Sequence, residues 1–313
     1  MSTIPAGTPV WRIEFDRLAQ FKALAIALAF CSVFFYVIRD LMYEWQNSSD
    51  WSHGWLIPVF SAYLVFGRWE KIEKSPITHT WVGLVLMVAS LLIYQYSLWG
   101  LIIGYLRPLT MLTCLLGVVI YLCGLPVLRY AFVPWLYLFF AVPLPKGVYF
   151  TLTDPLRRMA AVVATSCLSM VPGLDIERVG SNITYFYQGV QGNIGVADAC
   201  SGMRALITLC ALGVAVTFIS DRPAWQRVIM LLACLPIAVF SNFIRVTVTC
   251  VLHIFVDPRY AEGAAHWMLG LVTLSIALGM FMGLVWVMER LVVEDAAEAD
   301  DDSDESTAKA GAR

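Results

Sequence analysis

Charged side chains are scarce in this chain: 14% of its 313 residues, against 59% that are hydrophobic. Soluble globular domains carry roughly 25% charged residues, so the shortage excludes an ordinary soluble fold and points to a bilayer. There is no CxxC pair among the eight cysteines, which argues against a thiol–disulfide exchange protein and against a metal cluster. Cys31, Cys114, Cys123, Cys167, Cys210, Cys234 and Cys250 all lie in apolar runs, where a thiol behaves as a small buried hydrophobe. No internal repeat is evident, and no Gly/Ser-rich linker divides the body into domains. No small-residue cleavage site follows the first apolar segment, which Arg12, Arg17 and Lys22 precede. That segment is expected to stay as an anchor and not to leave as a secretory signal.

What is present is a series of apolar runs near spanning length, at 21–38, 55–67, 81–99, 101–123, 130–142, 205–219, 228–252 and 267–288. A span needs roughly 20 residues, so 55–67 and 130–142 must borrow flanking residues. The expected fold class is all-α, a polytopic membrane bundle of about eight helices. The net charge of −2 conceals an asymmetry: residues 292–313 hold 8 of the 23 acids and 2 of the 21 bases. The domain reading is therefore a cytoplasmic arm at 1–20, a membrane body at 21–291 and a disordered acidic tail at 292–313.

Orientation follows from the bases in short loops. Arg12, Arg17 and Lys22 precede the first run, and Arg68, Lys71 and Lys74 follow the second. Arg129 follows the fourth, Arg222 and Arg227 the sixth, and Arg290 the last. With an even number of spans all fall on one side, expected to be the cytoplasm. Arg107 fits poorly with a span starting at 101. Three pieces then face outward. The first carries Ser52-His53-Gly54. The second, 143–199, opens with Pro143-Leu144-Pro145-Lys146 and holds an apolar stretch, 156–171, that either lies along the interface or crosses. It then alternates through Ile183-Thr184-Tyr185-Phe186-Tyr187, which predicts a short β-hairpin before Cys200. The third runs from 253 to 266.

Cys200 is the one cysteine among polar residues, in Asp198-Ala199-Cys200-Ser201-Gly202-Met203-Arg204, where a polar turn runs into an apolar segment. That layout sets the thiol at a helix N-terminus, one turn from Arg204, and both features favour the thiolate. Asp198 reads as a cap of that helix or as a counter-ion to Arg245. Arg245 lies inside the seventh run, where Ser241, Asn242, Arg245 and Thr249 recur at helical spacing and give one polar face. His266 opens the last span. Topology brings nucleophile, guanidinium and imidazole to one outer face, the geometry of covalent acyl transfer: a thiolate attacks a carbonyl and cationic donors stabilise the oxyanion. His53 and His253 read as structural more than catalytic.

The string Ala199-Cys200-Ser201-Gly202-Met203-Arg204, then Asn242-Phe243-Ile244-Arg245-Val246, then His266 before a last span, resembles the exosortase/archaeosortase family. Ser52-His53-Gly54 and the proline-rich start of the long loop resemble it too, so the likeness covers about 21–291. The resemblance implies a membrane thiol protease and transpeptidase that recognises the C-terminal sorting signal of secreted proteins. Such a signal has a short motif typified by Pro-Glu-Pro, a transmembrane helix and a basic cluster. The enzyme would cleave near the motif and transfer the new carboxyl end to a cell-envelope acceptor. By that likeness Cys200 is the acyl-thioester nucleophile, Arg245 the proton donor and His266 the transition-state stabiliser, with Arg204, Asn242, Asp198 and His53 in support. No metal, organic cofactor or nucleic acid is expected, and the site should face the periplasm from the inner membrane. The rivals are a transporter or channel in which Arg245 lines the pathway, and a non-catalytic factor for exopolysaccharide assembly.

Overall fold

The computed structural model describes residues 17–76, 78, 80–99, 104–196, 202–219, 222–257 and 263–291. It is mostly helical, with one small sheet. The first apolar run is not straight. α1 (Arg17–Val33) breaks before α2 (Phe35–Asn47), and the two meet at 72°. α2 buries Val37, Leu41 and Trp45, spaced by four, against the core. A 3₁₀ turn (Ser52–Trp55) leads into α3 (Leu56–Phe66), and α4 (Trp69–Glu73) is a single surface turn.

α5 (Trp81–Trp99) and α6 (Leu106–Cys123) form a tight hairpin. Gly83 and Gly117 lie where the two backbones nearly touch: a Cβ on either would run into the other helix's main chain. Small residues at such crossings let membrane helices pack closely, and Ser90 Oγ adds a bond of 2.9 Å to Thr113 Oγ1 across the seam. α6 begins at Leu106, five residues later than the run suggested, which leaves Arg107 in its first turn.

α7 (Leu125–Tyr137) continues as a 3₁₀ turn (Leu138–Ala141), and an 80° bend at Pro143–Pro145 starts α8 (Lys146–Leu168). The 156–171 stretch thus belongs to a longer helix that begins ten residues earlier. Next comes a three-stranded antiparallel meander, β1 (Leu174–Val179), β2 (Asn182–Tyr187) and β3 (Val190–Gly195), where the sequence predicted a hairpin. The strand missed is β1, whose Asp175, Glu177 and Arg178 are exposed and hide its alternation. The sheet's inner residues Leu174, Ile183, Tyr185 and Ile194 cover Ala160, Ala161 and Ala164 of α8.

Three helices close the bundle: α9 (Gly202–Ile219), α10 (Ala224–Phe255) and α11 (Gly263–Leu291). The far ends of α10 and α11 are joined by Arg222 and Glu289. By length and composition, four described helices can cross a membrane: Trp81–Trp99, Leu106–Cys123, Ala224–Phe255 and Met268–Arg290. Counting each bent pair as one span raises the number to six. The expected total of eight is not reached by these criteria, because Ser52–Phe66 and Met203–Ile219 are shorter apolar helices.

Candidate active site

The polar face predicted on α10 is built and buried. Ser241, Asn242, Arg245 and Thr249 are all shielded, Arg245 to 4% exposure. Ser241 Oγ donates to the Thr273 carbonyl at 2.7 Å, which ties α10 to α11, and Thr249 Oγ1 donates to the Arg245 carbonyl at 2.8 Å. Asn242 Oδ1 is buried with no hydrogen-bond partner among the described residues. Arg245 packs on α11 at Gly270, where an added Cβ would stand 3.5 Å from Nη2. Position 266 precedes Gly270 by four residues, so it lies on the same helix face, one turn nearer the start of α11. The His266 side chain is outside the described residues. Arg245 is ten residues before the end of α10, about 15 Å along its axis.

A second cluster comes from the loop after α2. Gly54 is there because the Trp45 indole lies on its Cα: a Cβ would collide with the ring. Trp45 Nε1 in turn donates to the Ala141 carbonyl at 2.8 Å. His53, 8% exposed, places Nε2 3.2 Å from the Phe140 carbonyl and its ring 5.9 Å from that of Trp51. Burial pushes the His53 pKa below its usual value, against the opposing pull of the Phe140 carbonyl and of Asp50. Asp50 is the hub of the cluster. Its Oδ2 accepts the Tyr149 hydroxyl of α8 at 2.6 Å, and its Oδ1 lies 3.6 Å from Arg204 Nε of α9.

Cys200 and Asp198 fall within 197–201, outside the described residues, but both flanks of that segment are fixed. Upstream, Val196 is fully buried in one apolar cluster with Val246, the neighbour of Arg245. Downstream, Arg204 in the first turn of α9 is tied to Asp50. The structure therefore sets Val246, the neighbour of Arg245, in the cluster that holds the upstream flank, and Arg204 with Asp50 on the downstream flank. His253 goes elsewhere: its ring meets the edge of Tyr185 in the sheet. Asp50 and Tyr149 are the residues that sequence reasoning missed. Among the described residues no group of three or more His, Cys, Asp or Glu could hold a metal ion.

The passage from Phe140 to Lys146 has two faces. One is bonded to His53 and Trp45. Beyond it lies a cavity of about 710 Å³, lined by Pro143–Lys146, by Tyr36, Asp40 and Glu44 of α2, and by Tyr94 and Arg107 of the α5–α6 hairpin. Arg107 Nη2 reaches the Ser97 carbonyl at 3.4 Å. The chamber thus carries both signs of charge and several tyrosines.

A family model described as transmembrane exosortase matches residues 45–283. No curated protein and no solved structure matches the chain. The matched span runs from Trp45 through the Asp50 and His53 loop, the sheet and Arg245 into α11.

Proposed function

The chain belongs to the transmembrane exosortase family, and on that premise we propose that it is a membrane cysteine transpeptidase acting on the C-terminal sorting signal of secreted proteins. The observation that carries this reading is the anchoring of both flanks of Cys200 to one end of the bundle. Val196 is buried beside Arg245's neighbour, and Arg204 is held by the outer loop. A thiol at the head of a helix and close to guanidinium groups is favoured as thiolate, and that is the form assigned to Cys200 in this reading.

The steps follow from those groups. The Cys200 thiolate attacks the scissile carbonyl, and its C–O double bond opens to an oxyanion. Arg245 and His266 are assigned to the charge that develops there, where fixed donors act most strongly in a site shielded from water. As the tetrahedral intermediate collapses the C–N bond breaks. The departing amine takes a proton, with Arg245 assigned as its donor, and an acyl-thioester stays on Cys200. An acceptor of the cell envelope then attacks the thioester carbonyl, its proton returns to Arg245, and the C–S bond breaks to regenerate the thiolate. Arg204 and Asn242 are assigned to shaping the pocket, Asp198 to capping α9, and His53 to holding the outer loop in place.

The remaining organisation fits this role. Residues 21–291 form the catalytic body, 1–20 a cytoplasmic arm and 292–313 an acidic tail. The four long helices, the two bent pairs and the two shorter apolar helices together make eight crossings, with the site on the periplasmic face of the inner membrane. In cells co-expressing a secreted protein with a sorting tail, Cys200→Ala is expected to insert normally and to leave the tail uncut. Normal tail removal by that variant overturns the reading.

A further inference from the structure

We propose that Asp50 is a positioning residue of this site: one carboxylate holds Tyr149 and Arg204 at once and so fixes the Arg204 guanidinium, four residues after Cys200 in the sequence. The inference deepens the cysteine reading above and rests on it.

Three features point from geometry to that role. The platform is rigid. Trp51 N–H donates to the Ser48 carbonyl at 3.2 Å and Gly54 N–H to the Trp51 carbonyl at 2.8 Å, while Trp45 covers Gly54 and His53 meets Phe140. A side chain on such a platform keeps its place without further ordering cost. The carboxylate is oriented. The 2.6 Å bond from Tyr149 OH occupies Oδ2 and turns Oδ1 towards α9, and Tyr149 is itself set by the first turn of α8. The guanidinium is presented edge-on. Arg204 brings Nε nearest to Asp50, at 3.6 Å, an ion-pair distance; in the planar fork one Nη shares that edge and the other stands at the far end.

The pair is partly shielded, with Asp50 17% and Arg204 27% exposed, and it joins elements 154 residues apart. A staple of the fold would need only contact. Holding one edge of an arginine while leaving the other edge available is what a site needs near a sulfur. Without Asp50 the long Arg204 side chain has many rotamers to visit, and its charge is spread over all of them.

The test uses the full-length protein in lipid vesicles with a secreted-protein substrate carrying a C-terminal sorting tail, and follows tail release. Asp50→Asn, which can still accept from Tyr149, is expected to lower kcat about tenfold and to leave KM nearly unchanged, the mark of an interaction that matters after binding. Asp50→Glu should recover part of the loss. In the Arg204→Gln background Asp50→Asn should cost nothing more, because no guanidinium is left to position. An unchanged kcat in Asp50→Asn, or the same tenfold loss with and without Arg204, overturns the proposal. If Asp50→Asn does not accumulate in the membrane, Tyr149→Phe combined with Arg204→Gln poses the same question, where non-additive losses support it and additive ones refute it. Wild-type release by Cys200→Ala would instead mark failure of the cysteine reading itself.

Discussion

An arginine at mid-membrane costs about 2.5–3.5 kcal/mol on insertion scales, so Arg245, buried to 4% exposure within an apolar run, needs a partner or a use for its charge. Arg245→Met keeps the apolar stem and removes the guanidinium, so the variant is expected to insert at wild-type level and release no detectable sorting tail on a gel of the substrate. Tail release near the wild-type rate would reduce Arg245 to a packing residue. Gly54→Ala drives a methyl into the Trp45 indole. Such overpacking costs typically about 1–3 kcal/mol and should lower the thermal midpoint in detergent, whereas an unchanged midpoint would mean that the indole has room to move. At this scale the sequence was legible where a residue broke the surrounding pattern. Arg245 is a cation within an apolar run, and the polar face read around it is buried in the structure. Asp50 was not legible, because an acid in a short loop reads as a solvated charge, and its partners Tyr149 and Arg204 lie 99 and 154 residues away.

Elements place these residues, and the loop after α2 is the most constrained of them. His53 is held below its usual pKa by burial, so folded protein takes up its proton later than unfolded protein does as pH falls. Stability from this residue is therefore fully present above the unfolded value of 6.5 and is lost as pH drops from there through the depressed folded value. The thermal midpoint should fall over that range, and His53→Gln should flatten the fall. An equal pH slope in both proteins would assign the titration to other groups. Gly83→Leu is expected to pry α5 from α6 and weaken the bundle, read as lost yield and a lower midpoint. Helical periodicity and apolar length revealed α5, α6, α10 and α11. They did not reveal the break at Phe34 or the early start of α8, because no proline or glycine marks the first, and Asp154, Arg157 and Arg158 disguise the second as loop.

At the scale of the whole molecule, the two ends of the bundle differ in chemistry. One end gathers Asp50, His53, Arg204, Arg245 and the sheet; the other is closed by Arg222 and Glu289. On the proposed orientation, which rests on the positive charges of the short loops, the Arg222 end faces the cytoplasm. In a variant with all eight native cysteines replaced, a cysteine introduced at Gln188, in the turn between β2 and β3, should then react with a membrane-impermeant maleimide in intact spheroplasts, while one at Arg68 should not. The opposite pattern would invert the topology. The most direct test of the account is the chemistry at the sulfur. Full-length protein mixed with a sorting-tail substrate, quenched in acid and digested, is expected to yield a Cys200 peptide joined by a hydroxylamine-labile thioester to the substrate's new carboxyl end. Tail release that leaves Cys200 unmodified, and persists in Cys200→Ala, would contradict it.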